Sequence, residues 1–68
     1  MIKELQEEME QKERKAFAEH AETTSIDFKY DGKEETQDKI IKYLESKEDV
    51  YWWEFDYENN MVFIRWNL

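Results

Sequence analysis

Apolar positions recur along the first third of the chain at a helical interval: Ile2, Leu5 and Met9, then Ala16, Phe17 and His20, with Glu13 interrupting the stripe. Glu, Lys, Gln and Arg fill the positions between, and no breaker intervenes. The pattern predicts a long amphipathic helix over 1–22 that lies on a surface. A strict coiled-coil period would set Lys12 and Glu19 on the seam and fits less well. Thr23, Thr24 and Ser25 are expected to end the helix, because β-branched and hydroxyl side chains favour extended backbone.

The period then changes. Ile26, Phe28 and Tyr30 alternate with Asp27 and Lys29, as a half-buried strand requires. Asp31-Gly32 marks a turn, and Asp31 with Glu34 has the spacing of a capping box. A second helix follows to about Lys47, with Thr36, Ile40, Ile41 and Leu44 on one face and Tyr43 at its margin. The last segment is predicted to be a hairpin turning at Asn59-Asn60, two residues that tolerate positive φ and suit a type I′ turn. That turn would set Tyr57 opposite Val62, Phe55 opposite Ile64, Trp53 opposite Trp66 and Tyr51 opposite Leu68, an apolar face throughout. The other face would pair Glu58 with Met61, Asp56 with Phe63, Glu54 with Arg65 and Trp52 with Asn67.

The expected fold class is therefore α+β: a two-layer single domain over 1–68, a long helix at 1–22 and a β-α-β-β core at 23–68. Its three-stranded sheet is mainly antiparallel and ends in the hairpin. The first strand is expected antiparallel beside the 61–67 strand, which is then central because it carries the fewest acids; the alternative places it parallel beside the 50–57 strand through a right-handed crossover. The second helix must cover the apolar sheet face. The first is expected to cover Trp52, Met61 and Phe63 on the other face, with an exposed patch as the alternative.

Composition narrows the function classes. Eighteen acids against ten bases give a net charge of −8, which disfavours nucleic acid and anionic membranes as direct partners and favours a basic protein surface. There is no cysteine and only one histidine, so neither a disulfide nor a Cys/His zinc site is expected. Three Trp, four Tyr and four Phe must supply the core that staples supply in other small domains. No apolar run approaches the roughly 20 residues of a membrane span, and the charged residues 1–10 do not read as a signal peptide. A cytoplasmic protein is the expectation.

Candidate chemistry is sparse. His20 lies on the apolar stripe and is read as a boundary residue that packs its ring. Ser25 and Ser46 have no recognisable base, and Gly32 sits among acids that would repel phosphate. No enzyme, metal site or cofactor is expected. What remains is a surface. Glu54, Asp56 and Glu58 alternate along one strand, which spaces their carboxylates about 6.8 Å apart, close to successive nucleic-acid phosphates. Trp52, Met61 and Phe63 share that face. The sequence is thus read as a non-catalytic acidic protein-binding module, an inhibitor or regulator that occludes a basic surface of a larger protein, a nucleic-acid-binding surface being one such kind. Its partner-binding residues are Trp52, Glu54, Asp56, Glu58, Met61 and Phe63. The alternative is a small self-associating structural protein with a merely solubilising acidic surface. A homodimer is expected, joined through Ile2, Leu5 and Met9 with the two first helices antiparallel; the alternative is a monomer in which Leu5 and Met9 fold back over Trp52 and Phe63.

Overall fold

In the computed structural model, which describes residues 1–68, the first helix (α1) spans Ile2–Ala18 and stops short of the threonines. Its end is a Schellman motif. The N–H of Ala21 bonds the Ala16 carbonyl at 2.9 Å and that of His20 bonds the Phe17 carbonyl at 3.1 Å. His20 occupies the left-handed position of that motif, with φ 59°, and is exposed. It therefore does not pack its ring on the stripe. Phe17, at 58% exposure, does not pack there either.

The strand β1 (Thr23–Lys29) leads through Gly32 into the helix α2 (Glu34–Glu45). The residue capping α2 is Lys33, in extended conformation, so the Asp31–Glu34 capping box does not form. Asp31 instead accepts the Lys33 N–H at 2.9 Å and the Thr36 hydroxyl at 2.8 Å, folding the turn from outside the helix. Gly32 has φ +79°, and a Cβ there would stand 2.6 Å from Asn60 Oδ1, so the turn needs glycine for conformation and for space.

The strands β2 (Val50–Asp56) and β3 (Met61–Asn67) complete an antiparallel sheet of order β1-β3-β2. The 61–67 strand is central, and the fold is α+β. The hairpin register differs from the expected one. Phe55 pairs with Val62 instead of Ile64, and Trp53 pairs with Ile64 instead of Trp66. The cause is a loop of residues 57–60 in place of a two-residue turn. The Asp56 carboxylate accepts the Glu58 N–H at 3.2 Å, the Asn59 N–H at 3.3 Å and the Asn59 side-chain amide at 2.9 Å, so the chain begins to turn at Asp56. Of the two asparagines only Asn60 adopts positive φ, at 54°, whereas type I′ requires both. The displacement is by two positions, so the paired side chains from Trp52 to Asp56 and along β3 keep their predicted faces. Near the start of β2 the register shifts between Val50 and Trp52. Tyr51 is the extra residue and stands 54% exposed, while Val50 takes the position opposite Trp66.

Both helices pack on one face of the sheet. Leu5 and Met9 of α1, Ile40 and Leu44 of α2, Phe28, Tyr30, and Val62, Ile64 and Trp66 of β3 form a single buried cluster. Side chains alternate along β3, so Val62, Ile64 and Trp66 share a face and both helices must lie against it. A second cross-layer tie is polar: the Gln37 amide donates to the Tyr30 hydroxyl at 2.7 Å. The expectation that α1 covers Trp52, Met61 and Phe63 is thus overturned. So is the availability of Leu5 and Met9 for self-association, since they are 0% and 1% exposed within their own chain, and Ile2 is half-buried against the same core. A core this small needs two helices to seal β3, and α1 carries large apolar residues on one face only.

Candidate functional site: the open sheet face

The face away from the helices carries three cross-strand rows. Ser25, Arg65 and Trp52 form the first, Asp27, Phe63 and Glu54 the second, and Lys29, Met61 and Asp56 the third. The central strand contributes Met61, Phe63 and Arg65, so an apolar column ends in a cation and is flanked on both sides by carboxylates. Trp52, Met61 and Phe63 are half-buried by their neighbours, while Ser25, Asp27, Glu54 and Arg65 are exposed. A shallow recess of about 210 Å³ lies between Ser25, Asp27, Trp52, Phe63 and Arg65.

The observed register changes the electrostatics of this face. Arg65 stands opposite Trp52, with its guanidinium carbon 4.6 Å from the ring centroid, a cation–π contact. It does not face Glu54 directly, which is left across from Phe63. Asp27 faces Phe63 from the other side, so a phenyl ring lies between two exposed carboxylates in one row. Asp27 was not among the expected partner-binding residues. Its alternation with Ile26 and Phe28 placed it on the polar face of β1, but only the strand order sets it beside Phe63.

The predicted file of three carboxylates is reduced. Glu58 lies in the 57–60 loop beyond the end of β2, outside the strand alternation. Asp56 remains on the face, but its oxygens serve its own loop. The Asn59 amide, followed by the Asn59 and Glu58 N–H groups, holds its pKa below the ordinary 3.8. Glu54 is the member of the series that presents a free, exposed carboxylate on the strand.

Other candidate chemistry is not assembled. His20 stands at a helix end, and no group of three or more His, Cys, Asp or Glu is placed to hold a metal ion. No helix is long and apolar enough to cross a membrane. Comparison of the chain with protein-family profiles, curated proteins and solved structures finds no match.

Proposed function

We propose that the chain is a non-catalytic binding module whose open sheet face occludes a basic surface of a larger protein. The observation that carries this reading is the Asp27–Phe63–Glu54 row, a half-buried aromatic ring between two exposed carboxylates. Such a row suits a lysine or arginine, whose aliphatic stem lies on the ring while its cation reaches either acid. Trp52, held by Arg65, and Met61 extend the apolar contact along the strands. Large apolar side chains on an open face are the usual anchors of a protein interface, and the net charge of −8 would steer a basic partner toward it.

The reading is tested by affinity capture from cells of the native host. Wild type is compared with Phe63→Ser, with Asp27→Asn/Glu54→Gln, and with Glu35→Gln on α2 as a surface control. A supporting result is one protein retained by wild type and the control, lost from both face variants, and released by moderate salt. Retention that ignores the face variants, or no retention, overturns it.

A further inference from the structure

We infer that β1 is a self-pairing edge through which two copies join into one six-stranded antiparallel sheet. The hydrogen-bond phase of β1 points to it. Tyr30 N–H bonds the Asn60 carbonyl and Leu68 N–H bonds the Glu22 carbonyl, each at 2.9 Å, at the two ends of the β1–β3 ladder. Bonded pairs recur at every second residue of an antiparallel ladder, so Thr24, Ile26 and Phe28 bond β3. Thr23, Ser25, Asp27 and Lys29 therefore turn their N–H and C=O groups outward, where no cap, turn or loop bond of the chain engages them. β1 lies at the sheet edge and pairs without a bulge along its seven residues, whereas the β2 edge is interrupted at Tyr51. A regular, unpaired edge is a template for another strand.

The occupant is a second copy, because no like charges oppose on the sheet and opposite charges meet on the helix layer. A twofold axis through Ile26 pairs outward-facing residues with outward-facing residues: Asp27 with Ser25 of the second copy and Lys29 with Thr23. Ile26 is the middle residue of β1, so this axis pairs all seven strand residues, whereas an axis through Phe28 would match Asp27 with Lys29 but pair only residues 27–29, and one through Asp27 would oppose two carboxylates. On the helix layer, Glu8, Gln11, Lys12 and Lys15 line a groove with Ile26 and Asp27, so they are the α1 residues nearest that axis. The axis runs the two α1 helices antiparallel. Lys15 then meets Glu8 of the second copy, Glu8 meets its Lys15, and Gln11 lies beside Lys12. The homodimer expected from the sequence thus acquires a different surface from Ile2, Leu5 and Met9. Edge pairing engages the Asp27 backbone and leaves its side chain, with Trp52 and Phe63, on the open face, so the inference does not require the proposed partner.

Light scattering and sedimentation of the intact chain from about 10 to 500 μM test it, since a dimer responds to concentration by mass action. Wild type is expected to reach dimer mass within that range. Ser25→Pro is expected to be a folded monomer throughout, because proline removes an N–H that points away from β3. Circular dichroism and a cooperative melt verify that fold. Lys15→Glu creates two Glu–Glu oppositions and is expected to weaken the dimer about tenfold, and Glu8→Lys/Lys15→Glu to restore it. A wild type that stays monomeric overturns the inference, as does a dimer indifferent to both Ser25→Pro and Lys15→Glu.

Discussion

The indole N–H of Trp66 donates to Glu13 Oε1 at 2.9 Å, tying the central strand to the one acidic residue that interrupts the apolar stripe of α1. Trp66 is fully buried, so its N–H must find an acceptor inside the protein, and Glu13 is placed to supply one. Replacing Glu13 by Leu removes the acceptor and is expected to cost about 1 to 3 kcal/mol despite the added apolar surface. Glu13→Gln keeps a neutral acceptor and should lose less. Urea denaturation of Glu13→Leu, Trp66→Phe and the double variant isolates the pair: a coupling energy near zero would show that the hydrogen bond contributes nothing.

Leu5 and Met9 provide a direct test of how α1 is used. Because both are buried in their own chain, Leu5→Ala and Met9→Ala are each expected to cost about 2 to 5 kcal/mol, enough to unfold a chain of this size. Ile2→Ala, at a half-buried position, should cost less. Thermal melts decide it. Cooperative melts at unchanged temperature would mean that α1 does not seal the core.

These two cases show which features the sequence carries openly. Strand faces follow from a period of two, and that parity survives a displacement of two residues, so Val62, Ile64 and Trp66 were placed on the core side even though their partners were misassigned. The loop length was not legible, because it depends on where the Asp56 carboxylate finds donors and not on the turn preferences of Asn59-Asn60. Periodicity identified the buried stripe of α1, Leu5 and Met9 included, but not which sheet face would receive it. Glu13 read as a flaw because its partner lies at the opposite end of the chain. The acidic row was legible only on β2. Its second carboxylate, Asp27, comes from a strand whose neighbour is defined by topology.

Acid should loosen the two turns held by carboxylates. The Lys33 N–H, then the Thr36 hydroxyl, keep the Asp31 pKa below 3.8, and the Asn59 amide does the same for Asp56. A carboxylate whose folded pKa is depressed stabilises the fold above its unfolded value, and that stability is lost as pH falls through the folded value. Both contributions should therefore be intact at neutral pH and decline from about pH 4 downward. Urea midpoints measured from neutrality into that range check this. Asp31→Asn and Asp56→Asn should each be less stable at neutrality and lose less on acidification than wild type. Parallel pH profiles for all three proteins would contradict the assignment.

Gly32 and Asn60 make a second pair with separable terms. Gly32→Ala meets both a positive φ and an Asn60 side chain 2.6 Å from the new Cβ, so a loss of about 1 to 3 kcal/mol is expected. Asn60→Gly removes that side chain and relaxes its own φ of 54°, and alone should be close to neutral. Combining them should recover the steric part of the Gly32→Ala loss and leave the conformational part. Strictly additive losses in chemical denaturation would show that the Asn60 side chain does not restrict this position.

His20 closes α1 from the left-handed region, a conformation that glycine adopts without the steric cost borne by a residue with a Cβ. Histidine is among the side chains more often found there, which accounts for its tolerance at an exposed helix end. On this geometry its role is conformational, and replacing the imidazole is expected to leave function intact. His20→Gly relieves the left-handed strain but frees the unfolded chain, so the net gain should be modest, about 0.5 to 1 kcal/mol. His20→Asn should stay near wild type, and His20→Val, β-branched, should lose about 1 to 2 kcal/mol. Thermal denaturation of the three variants ranks them. The order glycine, asparagine, valine follows from backbone conformation alone, whereas a site that used the ring would lose stability or binding in all three. A destabilised His20→Gly would overturn the helix-end assignment and return the imidazole to consideration as a working group.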